Sequence, residues 1–81
     1  MKASVYVSLK KTVLDPQGET IRSALRGLGF AQVEAVRQGK YFEISLGNGL
    51  TPDEARREVE RIAREVLTNP VIEEFRYQLE E

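Results

Sequence analysis

Residues 2–10 alternate without exception: Ala3, Val5, Val7 and Leu9 fall on one side of an extended chain, Lys2, Ser4, Tyr6, Ser8 and Lys10 on the other. A period of two sends successive side chains to opposite faces, so this segment reads as a β-strand with one face buried and one in water. Such a strand needs hydrogen-bonded neighbours along its edges and an apolar layer over its buried face. The remaining residues must supply both.

They do so in a definite order. Asp15-Pro16-Gln17-Gly18 reads as a turn, with proline fixing φ and glycine permitting a left-handed residue. A helix is expected from Gly18 or Glu19, because Ile21, Ala24, Leu25 and Leu28 recur at three-and-four spacing, and Gly29 is placed to cap its end. Phe30 to Gln38 reads as a second strand with Val33 and Ala35 on one face, broken at Val36 by a bulge or an outer-face contact. Gln38-Gly39-Lys40 is expected to reverse the chain into a third strand with Phe42, Ile44 and Leu46 inward and Tyr41, Glu43 and Ser45 outward.

After the flexible Gly47-Asn48-Gly49, Thr51-Pro52-Asp53-Glu54 carries the start of a helix: a Thr cap, Pro in the first turn and Glu three residues on. Its expected buried stripe is Ala55, Val59, Ile62, Ala63, Val66 and Leu67, with Glu60/Arg64 and Arg61/Glu65 paired on the wet side. Asn69 and Pro70 end it. Val71, Phe75, Tyr77 and Leu79 then form the inward row of a last strand interrupted at Glu73. The order β-α-β-β-α-β predicts an α+β, ferredoxin-like sandwich over residues 1–81: a four-stranded antiparallel sheet with two helices on one face.

Composition narrows the chemistry. Twelve Lys and Arg against 13 Asp and Glu give a formal charge of −1, which supplies no net field for nucleic acid or an anionic membrane. With no Cys and no His, disulfides, thiolate nucleophiles, Ser-His-Asp catalysis and the common zinc sites are excluded. A purely carboxylate magnesium site stays open. No apolar stretch reads as a signal peptide or membrane span, so a cytoplasmic protein is expected. A chain of 81 residues buries only about 60% of its unfolded surface, and without disulfides it is expected to associate with itself or dock on a larger protein.

Tyr6 and Tyr41 project from the open sheet face as an RNA-binding sheet would require, but Glu43 and Glu74 stand among Lys2 and Arg76 there, and coverage by another protein is the expected role. Among the carboxylates Asp15, Asp53, Glu73 and Glu74, Asp53 is explained by the helix first turn. Glu73 would point inward unless a bulge or strand end, with Arg37 or Lys40 as partner, gives it water. None stands beside a nucleophile that it could activate. Gly18 at a helix start, with Lys10, Lys11, Arg37 and Lys40 nearby, could hold an anion, yet no phosphate-loop spacing is present and a basic rim that selects a protein partner explains the same residues.

Val13-Leu14-Asp15-Pro16-Gln17-Gly18 after a lysine-bearing strand resembles the PurS family, and further blocks follow in register. These are Leu28-Gly29-Phe30, Val36-Arg37-Gln38-Gly39-Lys40-Tyr41-Phe42, and Leu67 with Asn69-Pro70-Val71-Ile72-Glu73. The resemblance covers the whole chain. It implies a non-catalytic small subunit of phosphoribosylformylglycinamidine synthase, the ATP- and glutamine-dependent ligase of purine biosynthesis. In that family PurQ releases ammonia, PurL uses ATP and magnesium, and the small subunit binds both and assists ammonia transfer as a homodimer or higher oligomer, with no cofactor, nucleic acid or membrane of its own. It places partner contacts at Lys10, Lys11, Leu14, Asp15, Pro16, Gln17 and Gly18, at Arg37, Gly39 and Lys40, and at Asn69 and Pro70. The alternative from the residues is a small-ligand sensor built of paired ferredoxin-like sheets.

Overall fold

The computed structural model describes residues 1–80. Strand β1 (Lys2–Leu9) is central, flanked antiparallel by β2 (Gly39–Ser45) and β3 (Glu73–Glu80) in the order β2-β1-β3. Val5 stands opposite Phe42 on one side and Tyr77 on the other, while Ala3 is flanked by Ile44 and Leu79. Small residues on the middle strand and large ones on its neighbours make one continuous apolar surface.

Helix α1 spans Pro16–Gly27 and α2 spans Pro52–Ile62, continued by a π-helical turn over Ala63–Leu67. The capping box at Thr51 forms as expected: the Glu54 amide donates to Thr51 Oγ1 and the Thr51 amide to Glu54 Oε1, each at 3.2 Å. Val59 and Ala63 of this helical stretch join Ala3, Val5 and Val7 in the buried cluster. Val66, expected to face inward, is exposed. The wider π turn delays the register, so Leu67 packs on the core in its place. The expected Arg61–Glu65 and Glu60–Arg64 pairs form at 2.9 and 3.6 Å.

The first half departs from expectation in three ways. Helix α1 begins two residues early, because Asp15 is its N-cap and Pro16 its first residue, so this sequence is a helix start and not a free turn. Gly29, at φ +101°, follows the helix end as expected. Phe30 to Gln38 forms no strand, and the sheet has three strands where four were expected. Its carbonyls turn toward α1: Arg22 Nε donates to the Glu34 carbonyl at 2.9 Å, and Arg26 Nη2 to that of Ala31 at 3.2 Å. Gln38-Gly39-Lys40 therefore makes no hairpin reversal; the chain enters β2 at Gly39, where a Cβ would lie 2.7 Å from the Val7 carbonyl oxygen.

Helix α1 thus forms an arm with its return segment and has no extensive packing on the sheet or on α2. Gly18 is its one buried residue, and the Ile21, Leu25 and Leu28 stripe expected in the core lies half-buried or exposed. The Cα radius of gyration is 16.3 Å, against about 12 Å for a compact chain of this length. The long axis extends 51 Å. The last strand also starts late: Val71 lies exposed in a turn, where the Ile72 and Glu73 amides both donate to the Asn69 carbonyl. Among the described residues no helix is long and apolar enough to cross a membrane.

Gly18 is where the arm closes on itself, since a Cβ there would collide with the Val36 carbonyl oxygen. Gly18→Ala is expected to cost about 2 kcal/mol, read as a lower urea midpoint. An unchanged midpoint would show that the arm tolerates a wider gap.

Candidate functional site

The sequence-predicted contact residues come from three separate segments, and the fold gathers these at one end of the sheet. Lys10 leaves β1 and donates its amide to the Ile72 carbonyl at 2.8 Å, tying the first loop to the turn around Asn69 and Pro70. Arg37 Nη2 donates to the Lys10 carbonyl at 2.9 Å, tying the same loop to the start of β2. The Val71 amide donates to Asn69 Oδ1 at 3.1 Å, an Asx turn that explains why Asn precedes Pro here.

Asp15 is the knot. Its Oδ1 accepts from the Gly18 amide at 3.0 Å, capping α1, and its Oδ2 accepts from the Gln38 amide at 2.7 Å, fastening the far end of the return segment. The residue is 5% exposed. Hydrogen bonds from the Gln38 and Gly18 amides hold its carboxyl below the ordinary range, against the opposing effect of desolvation, with a further contribution from the Arg37 charge.

Glu73 does point inward at the start of β3, level with Leu9, and its partner is Lys40 across β1: Nζ lies 3.3 Å from Oε2. Its Oε1 accepts from the Asn69 amide at 2.8 Å. That backbone bond, followed by Lys40, lowers its pKa. A cavity of about 220 Å³ opens between α1 and the sheet, walled by Leu9, Asp15, Gln17, Lys40 and Glu73 among others. Lys11 and Leu14, in the loop between β1 and α1, stand exposed, Leu14 at 73%. Pro16, Gln17 and Pro70 are exposed as well.

Two participants lay outside the predicted contact set: Gln38, which acts through its amide, and Glu73, which closes the end of the core. Gln38 carried no side-chain signal. Glu73 did, as the one acidic residue in an apolar row.

The outer sheet face is arranged differently. Tyr6 and Tyr41 pack with ring centroids 5.0 Å apart, and the Arg76 guanidinium sits 4.9 Å above Tyr6. Tyr41 Oη donates to Glu43 Oε1 at 3.1 Å and lies 3.2 Å from Ser4 Oγ, so both aromatics are engaged within the chain. A shallow groove of about 600 Å³ runs beside them. Among the described residues no three His, Cys, Asp or Glu side chains gather as a metal site.

Fold and site define a small α+β protein with a projecting helical arm and a polar knot where the arm meets the sheet. Residues 2–81 match the family model described as PurS: Phosphoribosylformylglycinamidine (FGAM) synthase. The chain belongs to the PurS family of FGAM synthase subunits. It is 42% identical over 84 residues to the Bacillus subtilis FGAM synthase subunit PurS, covering 99% of this chain and 93% of that one. The solved Methanocaldococcus jannaschii PurS superposes with a TM-score of 0.87 at 38% identity, covering 99% and 95% of the two chains. A chain in the structure of PurLQS from Thermotoga maritima matches with a TM-score of 0.86 at 31% identity, over 95% of this chain and 93% of that one. The elongated shape is therefore shared with solved relatives.

Both knot carboxylates have lowered pKa values, so they stabilise the fold fully above the ordinary carboxylate range, and that stability is lost as pH falls through their folded values. Asp15→Asn is expected to be less stable than wild type at neutral pH, the gap closing in acid, as followed by urea unfolding across the acid limb. A gap independent of pH would mean that the Asp15 charge is not what the amides hold.

Proposed function

We propose that this chain is the non-catalytic assembly subunit of FGAM synthase, joining a PurL-type ligase to a PurQ-type glutaminase and assisting ammonia transfer between them. The likeness to a chain of the Thermotoga maritima PurLQS structure carries this reading. Ammonia released at one active site is protonated and lost if it meets bulk water, so two sites that exchange it work best when docked and sealed from solvent. A thin sheet with a rigid arm suits that docking role. On this reading ATP and magnesium act at the ligase partner, this chain binds no cofactor, and the complex works in the cytoplasm. The chain acts as a homodimer, and in the assembled form its sheet regains a second helix and a fourth strand.

Lys11 and Leu14 are the candidates best suited to test partner contact. Lys11, Leu14, Arg37 and Lys40 are all exposed, but Arg37 and Lys40 also hold the fold through Lys10 and Glu73. Mixed with ligase and glutaminase subunits, glutamine and nucleotide, the chain should co-elute as one complex and be required for glutamine-dependent synthesis. Lys11→Glu with Leu14→Asp should weaken that complex about tenfold while leaving the unfolding midpoint unchanged. Equal glutamine-dependent rates with the chain omitted would contradict the assignment, and unchanged affinity of the double variant would remove these residues from the contact.

A further inference from the structure

The end of the sheet where the arm departs carries unneutralised positive charge beside exposed apolar side chains. Three segments are tied together there: the Lys10 amide donates to the Ile72 carbonyl at 2.8 Å, and the Lys10 carbonyl accepts from the Val13 amide and from Arg37 Nη2, both at 2.9 Å. These bonds set the loop that carries Lys11 and Leu14 beside the turn that carries Val71 and Ile72. Leu14 is 73% exposed, Val71 77% and Ile72 39%. Among the described residues, Lys10, Lys11 and Arg37 form no ion pair. The carboxylates at this end do not neutralise them. Asp15 is spent on two backbone amides, Glu73 on Lys40 and the Asn69 amide, and Glu74, opposite Ser8, offsets one charge at most.

A small anion is a poor fit for these cations. The Gly18 amide, which would receive it at the start of α1, already donates to Asp15, and an anion gains nothing from three exposed apolar side chains. Apolar side chains set among charges of one sign have the composition of a protein-recognition surface instead. The apolar centre supplies affinity once water is excluded, and the charged rim selects a partner of opposite sign.

From this we propose that this end of the sheet docks on an acidic surface of the PurQ-type glutaminase, with carboxylates facing Lys10, Lys11 and Arg37 and an apolar pocket taking Leu14 and Val71. This rests on the assembly reading above and names the partner and the chemistry of its contact. Charge decides between the two candidate partners. A ligase that binds ATP and a phosphorylated ribonucleotide keeps a positive potential about its active site, which would repel this end. Glutamine carries no net charge, so a glutaminase is free to present carboxylates there. The contact pairs opposite charges around a desolvated centre, the arrangement that fixes both the choice of partner and its orientation.

A carbodiimide joins a lysine amine to a carboxylate only where the two are in contact, so it reads the chemistry of the partner directly. Treatment of the complete complex, formed from this chain with ligase, glutaminase, glutamine and nucleotide, should give amide links from Lys10 or Lys11 to Asp or Glu of the glutaminase, located by mass spectrometry. Lys10→Glu with Lys11→Glu should weaken glutaminase binding about tenfold or more while the ligase, the unfolding midpoint and self-association stay as in wild type. Raising the ionic strength from about 0.05 M to about 0.3 M should weaken glutaminase binding about tenfold in wild type and hardly at all in the variant. Links found on the ligase or on a second copy in place of the glutaminase, or no link at all, overturn this docking site, as does unchanged glutaminase affinity in the variant. Where the variant fails to fold, the cross-links and the salt dependence of the wild type decide alone. A wild-type chain that forms no complex overturns the assembly reading and this site with it.

Discussion

The carboxylate of Asp15 decides the shape of this protein. One oxygen caps α1 and the other takes the amide of Gln38, 23 positions along the chain. Two ends of a long excursion are thereby fastened at one point, and the excursion becomes an arm in place of a layer. Charge-assisted hydrogen bonds to backbone amides are strong for their size, and a nearly buried carboxylate that lost either partner would be left uncompensated. The Gly18 contact with Val36 and the Arg22 and Arg26 bonds then set the direction in which the arm leaves.

What remains for the core is small. Its buried apolar members are Ala3, Val5, Val7, Ala55, Val59 and Ala63, half of them alanine, while Phe42, Phe75, Tyr77 and Leu79 only flank them. Alanine contributes little apolar area, so such a core gains less than the large residues around it could provide if covered. The Lys40–Glu73 pair closes one end of the same face with charge. The fold is thus stable in its parts and incomplete in its apolar surface, which fits a subunit whose working state is an assembly.

The second half of the fold was legible because its signals are local. Thr51-Pro52-Asp53-Glu54 specifies a cap through atoms three residues apart, and β1 carries its register in its own alternation. The same physics stood at Asp15-Pro16, a capping residue before a first-turn proline, but without a Glu three residues on it resembled a turn. Residues 30–38 could not be read correctly from pattern: Val33 and Ala35 alternate like a strand, and what turns them aside is a set of bonds from Arg26, five residues from its partner, and from Arg22 and Asp15, 12 and 23 residues from theirs. The gathering of Lys10, Arg37 and Asn69 at one end follows from chain order and was foreseeable. The partnership of Glu73 with Lys40 was one of two options that the residues left open.

Membership of the PurS family and the incomplete core lead to the same expectation, that the chain reaches full stability only when its arm is covered. Thermal unfolding as a function of protein concentration tests this most directly, since unfolding coupled to dissociation makes the midpoint depend on concentration. The account predicts a midpoint that climbs steadily as the protein is concentrated. A midpoint that stays fixed over about a hundredfold change would mean that a lone chain with its arm extended is already the stable form, and would contradict it.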